Sequence, residues 1–187
     1  MLKLRISLVA LLIFVIASSN ASAELTQQLT IGGQALQLNG SGKRTKTFVH
    51  IYESGLYLPT PSRDAKAILA ADELMAIRVH IISGFVSRDS LVASLRDGLD
   101  KSTGGKTDEI AKEANMLVDS LKDQVKKNDI YDFVHVPKRG LYVLKNGTMQ
   151  GVIPGLAFKK ALFGIWLSES PVDEDLRQAM LSGTKLR

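Results

Sequence analysis

Cysteine is absent from this sequence. That excludes disulfides and thiol chemistry, so stability has to come from packing. Histidine is scarce: His50, His80 and His135 are the three in the chain, each inside a run that reads as strand. None has a second histidine or a cysteine at ligand spacing, so no metal is expected. The lysines and arginines form no stripe interleaved with aromatic residues, which themselves make up only 6% of the chain. Nucleic acid is therefore not an expected partner. No Gly-rich loop precedes a helix in the way a phosphate cradle requires. Gly40-Ser41-Gly42 is rich in glycine but lacks the strand-to-helix elbow that exposes a serine nucleophile. No cofactor is expected.

What is present begins with a leader. Lys3 and Arg5 precede an apolar run from Ile6 to Ala17, shorter than the roughly 20 residues that span a bilayer. Ala21-Ser22-Ala23 follows as a small-x-small cleavage pattern. Residues 1–23 are read as a signal peptide and residues 24–187 as one domain, with cleavage after Ala23 and a periplasmic destination. The membrane is then a partner only through the leader. Loss of Lys3 and Arg5 lowers the formal net charge from +5 to +3. Cleavage after residue 23 of a 187-residue chain leaves 164 residues, enough for a single core.

Leu25–Leu29 and Gln34–Leu38 alternate around Gly32-Gly33, which predicts a hairpin. Gly40 to Pro59 reads mostly as one long strand, with Thr45–Leu58 rich in β-branched and aromatic residues. Ser62 is the expected cap of a short helix carrying Ala65, Ile68 and Leu69, and Ile77–Ile82 returns to a β pattern. Ser87 caps a helix whose Leu91, Leu95 and Leu99 form a core-facing stripe. Thr107 starts another helix. Strands follow at Ile130–Val136, Gly140–Leu144 and Thr148–Ile153, the last two joined by Asn146-Gly147. Asn146-Gly147-Thr148 also matches a glycosylation acceptor, but its turn chemistry is the preferred reading. Leu156–Leu167 is apolar nearly all round and so buried, and Asp173 caps a last helix. This order predicts an α+β fold, a largely antiparallel sheet with helices on one face.

The carboxylates read as helix-terminal residues and not as an acid/base pair. The unusual element is the strand beginning at Arg44. Strand alternation sets Arg44, Phe48, His50, Tyr52 and Leu56 on one face. A sheltered guanidinium is costly without a partner and matches a carboxylate through two parallel hydrogen bonds. Yet eight residues of straight strand span about 26 Å, so Arg44 and Tyr52 meet at one head group only if a bend lies between Arg44 and Phe48. On the residues alone a second reading stays open, in which Arg44 pairs with an acid at the surface and Tyr52 packs.

The runs GSGKRTKTFVHIYESGLYLP and DAKAILAAD, with NGTMQGVIPGLAFKKALFGIWLSESPVDEDLRQAML later, resemble the chalcone isomerase-like family, and its bacterial secreted branch in particular. The resemblance implies an open-faced β-sandwich, a large antiparallel sheet with helices layered on one face. It also implies a cleft that brings together Arg44, which follows the Gly-x-Gly-x pattern, and Tyr52, three residues before Gly55-Leu56-Tyr57. In the family's catalytic members the strand position is threonine, and in its fatty-acid binders it is tyrosine, as here. The resulting expectation is a non-catalytic binding protein for an amphipathic carboxylate, a fatty acid. Arg44 and Tyr52 would hold the head group, and Phe48, Leu91, Leu95, Phe158 and Leu162 would lie along the tail. The alternatives are an isomerase acting on a chalcone-like or other enone or phenolic substrate, and an envelope structural or partner-binding module.

Overall fold

A computed structural model describes residues 25–183; the predicted leader and its cleavage site lie outside them. Seven antiparallel strands form one sheet in sequence order: β1 Gln28–Ile31, β2 Gln34–Lys46, β3 Val49–Leu58, β4 Met75–Ile81, β5 Ile130–Val136, β6 Gly140–Lys145 and β7 Thr148–Ile153. Between them lie α1 Ala65–Ala70, α2 Arg88–Thr103 and α3 Ala111–Ser120, with α4 Leu156–Leu167 and α5 Glu174–Met180 at the end. The architecture is the expected α+β arrangement, an antiparallel sheet with helices over one face.

Period-two alternation sorts the strand residues. On the helix-covered face Leu56, Ile77, Val79, Phe133 and Val143 join Leu95, Leu99, Leu162 and Trp166 in the main core. On the other face Leu36, Leu38, Tyr57, Ala76 and Val134 form a second, smaller cluster. Capping follows the sequence. The Ser87 and Ser90 hydroxyls each accept from the other residue's backbone N–H, closing a reciprocal cap on α2. Asp173 Oδ1 accepts from Leu176 N at the start of α5. At α1 the cap is Asp64 and not Ser62: Asp64 Oδ1 accepts from Ala67 N, while the Ser62 hydroxyl accepts from Asp64 N one step earlier. The segment from Thr107 opens as a 3₁₀ turn and becomes α-helical only at Ala111.

The largest departure is the stretch from Gly40 to Pro59. It is a hairpin, with Thr47 and Phe48 as its two turn residues between the paired Lys46 and Val49. Both turn residues have positive φ, 47° and 68°, the signature of a type I′ turn. Such turns favour Asn-Gly because bulky side chains resist positive φ, so Thr-Phe concealed it. Gly40 and Gly42 have their own reason to be glycine. A Cβ on Gly40 would stand 2.1 Å from the Ala179 carbonyl oxygen, and one on Gly42 would stand 3.0 Å from the Ala179 methyl. Helix α5 thus lies directly on the backbone of β2.

Candidate functional site

The Thr47-Phe48 turn supplies the bend that the Arg44 reading required. Arg44 and Tyr52 are direct cross-strand partners and so share a face of the sheet. One step nearer the turn, Thr45 pairs with His50, which leaves Ile51 as an extra, bulged residue. The Arg44 guanidinium carbon lies 5.8 Å from the centre of the Tyr52 ring, within cation–π range. Tyr52 is buried, whereas Arg44 is half-buried. No carboxylate lies within ion-pair distance of Arg44 among the described residues.

The Tyr52 hydroxyl accepts a hydrogen bond from Trp166 Nε1 at 2.9 Å. The indole N–H can only donate, so the phenol's own proton is left to point elsewhere. Burial pushes the Tyr52 pKa up; the Arg44 charge and the bonds from Trp166 and Arg44 offset part of that, while Asp173 adds slightly to it. Tyr52 therefore stays protonated across the physiological range and serves as a donor.

Around this pair lies an apolar hollow lined by Val79, Leu91, Leu95, Phe133, Ile165 and Trp166, with Tyr131, Ser94 and Val172 completing it. Its lining holds no carboxylate and no histidine; its hydroxyls are those of Tyr52, Tyr131 and Ser94. The free volume is about 20 Å³, room for about one water. An alkyl chain enters only if side chains on α2 or α4 move aside. The seam between those helices is tight farther along: a Cβ on Gly98 would stand 2.8 Å from Ile165, and one on Gly164 would stand 3.0 Å from Ser102.

Four of the seven residues expected from the sequence meet at this hollow: Arg44, Tyr52, Leu91 and Leu95. Phe158 and Leu162 are buried in the main core without lining it. They occupy the earlier turns of α4, whose later turn supplies Ile165 and Trp166. Phe48 must be corrected outright. It sits at the hairpin tip, 98% exposed, because the strand reverses there and ends the alternation that had placed it beside Tyr52. Trp166, Phe133 and Tyr131 were not anticipated. Trp166 had a signal, since it is the single tryptophan of the chain, within its most apolar helix. Phe133 and Tyr131 had none beyond their alternation in β5. Their strand reaches the hollow only through pairing of β4 with β5, which no local pattern reveals.

The other titratable clusters lie elsewhere. Arg78 donates to both oxygens of Asp132, at 2.7 and 3.0 Å, on the opposite face of the sheet. Lys159, fully buried, donates to the carbonyls of Ile68, Leu69 and Ala71 at the C-terminal end of α1; burial, with Lys160 nearby, pulls its pKa down to about 8. No group of acidic or histidine residues among the described residues is arranged to hold a metal ion.

Comparison with known proteins agrees with this geometry. The sequence matches the family described as chalcone isomerase-like over residues 17–182. The chain belongs to that family. Among solved structures it is similar to a fatty-acid-binding protein of Arabidopsis thaliana. The two share 21% identity and superpose with a TM-score of 0.64, over 81% of this chain and 89% of that one. That likeness establishes the chalcone isomerase-like fold. No curated protein matches the sequence.

Proposed function

We propose that this chalcone isomerase-like protein binds an amphipathic carboxylate, a fatty acid, without chemical conversion, and that Arg44 and Tyr52 receive the head group. The observation that carries the reading is a half-buried guanidinium with no carboxylate partner among the described residues, beside a phenol that donates its own proton to none of them, at an apolar hollow. A carboxylate supplies what both groups lack, through charge-assisted hydrogen bonds roughly twice as strong as neutral ones. The fatty-acid-binding character of the Arabidopsis relative supports the same choice of ligand. The tail would lie against Leu91, Leu95 and Phe133 after displacing Trp166 or the first turns of α2, each buried methylene contributing about 0.8 kcal/mol. The leader pattern adds that the protein acts outside the cytoplasm, in the periplasm, and N-terminal sequencing of the mature protein should then read from Glu24.

Trp166 provides the test. It is the only tryptophan, and its indole N–H is tied to the Tyr52 hydroxyl. Titration with decanoate should give a saturable change in its fluorescence. An emission spectrum unmoved by decanoate and longer fatty acids would contradict the reading.

A further inference from the structure

Two large apolar side chains stand almost wholly in solvent: Phe48, 98% exposed, and Phe85, 89% exposed. They project from the same end of the sheet. Tyr52 pairs with Ile81, and the N–H groups of Ile82 and Ser83 both donate to the Ile51 carbonyl, so the loop from β4 into α2 begins beside the base of the Phe48 hairpin. The Lys127-Asn128 turn joins the same end, because Asn128 N donates to the Ile81 carbonyl. Arg44 and the first turns of α2 open the hollow there too.

Neither ring is explained by packing. Phe48 has φ of 68°, a conformation that a bulky residue adopts only at a cost, and its ring stabilises nothing inside the molecule. Around the two rings Lys46, Lys126 and Lys127 are exposed and make no ion pair among the described residues. At this end Arg88 pairs with Asp89, Lys145 pairs with Asp129 and Lys43 stands opposite Glu53 in the sheet, while Asp123 and Asp173 are outnumbered by Arg44, Lys46, Lys122, Lys126 and Lys127. The surface therefore combines protruding aromatic tips with excess positive charge, the pairing that seats a protein on an anionic bilayer.

We infer that this end of the molecule docks onto anionic lipid, with Phe48 and Phe85 entering the interfacial layer and the lysines contacting head groups. Docking would hold the mouth of the hollow against the membrane. The inference goes beyond the fatty-acid reading and stands without it, since the rings and lysines act whatever the hollow takes.

The test uses the full chain, whose lack of cysteine allows single labels. An environment-sensitive fluorophore is placed by Phe48→Cys, by Phe85→Cys, or by Arg139→Cys in the turn at the opposite end. Vesicles of phosphatidylglycerol and phosphatidylcholine should shift the label to the blue at 48 and 85 and not at 139, and high salt should reverse the shift. Phosphatidylcholine alone should give little. No shift at 48 and 85, as expected if the rings meet a protein partner instead, would overturn the inference. So would an equal shift at all three positions, the mark of tethering through the N-terminal segment. Phe48→Asn with Phe85→Ser should lower vesicle partitioning by roughly tenfold or more. Asn tolerates positive φ, so Phe48→Asn alone should raise the unfolding midpoint while weakening attachment. Partitioning unchanged in the double variant would also sink the proposal.

Discussion

Two arginines on opposite faces of one sheet differ in the company they keep. Arg78 on β4 is buried and pairs with Asp132 across to β5, fork against carboxylate. Gly55, its neighbour on β3, lies under Leu38, Leu25 and Tyr57, where a Cβ would stand 2.9 Å from the Leu38 side chain. Arg44 on β2 is half-buried, with a ring and an apolar hollow beside it and no acid within ion-pair distance among the described residues. Lys159 belongs with Arg78, its three donors met by three carbonyls at a helix end that itself favours positive charge. Matched cations are closed systems whose removal disrupts the fold. Arg44 has no carboxylate within ion-pair distance among the described residues, which is the ground for proposing that it meets a ligand's.

That contrast can be broken by mutation, beginning with the largest effect. Asp132→Ala leaves the Arg78 charge buried and alone, which should cost about 3–5 kcal/mol of stability by denaturant unfolding. Arg44→Ala in the same assay should stay within about 1 kcal/mol of the parent, because only its contact with Tyr52 and no buried ion pair is lost. Equal losses from the two would erase the distinction. Lys159→Met keeps the stem and orphans the α1 carbonyls, and should cost about 2 kcal/mol. Tyr52→Phe removes one donor to the ligand and the acceptor for Trp166 Nε1. It should lower both stability and carboxylate affinity by about 1 kcal/mol, the latter read from Trp166 fluorescence.

The smallest effect concerns pH. His135 is buried, and burial holds its pKa below the ordinary range despite the opposing bond to Asp72. The unfolded chain therefore binds the proton first as pH falls. This contribution to stability is complete above about pH 6.5 and declines as pH drops below it. Asp72, its carboxyl held low chiefly by the hydrogen bond from His135, adds a further loss through the carboxylate range. His135→Gln keeps an N–H in the side chain and removes the titration, so it should flatten the first part of the acid limb. Arg44 variants should leave that limb unchanged.

Much of the fold was legible in the sequence because its signals are local. Asn146-Gly147, Ser87, Asp173 and the Leu91-Leu95-Leu99 stripe each declare an element within a few residues. The Gly40–Pro59 stretch misled because its turn uses Thr47-Phe48, a pair whose side chains argue for strand while the backbone is forced to positive φ. The same displacement put Phe48 in the expected site when it lies outside. The Arg44–Tyr52 pair was visible in outline, as a lone arginine and a tyrosine in one β run. The wall of the hollow was not, since Trp166, Phe133 and Tyr131 reach it from elements distant in sequence. Register and helix packing bring them together, and no window of the chain carries that information.

The central claim is that Arg44 recognises a carboxylate. Titration calorimetry of the parent and Arg44→Ala with decanoate and with decanol addresses it directly. The account predicts that the substitution weakens decanoate binding by roughly tenfold or more and leaves decanol binding nearly unchanged. Equal weakening of acid and alcohol, or no weakening of either, would contradict it.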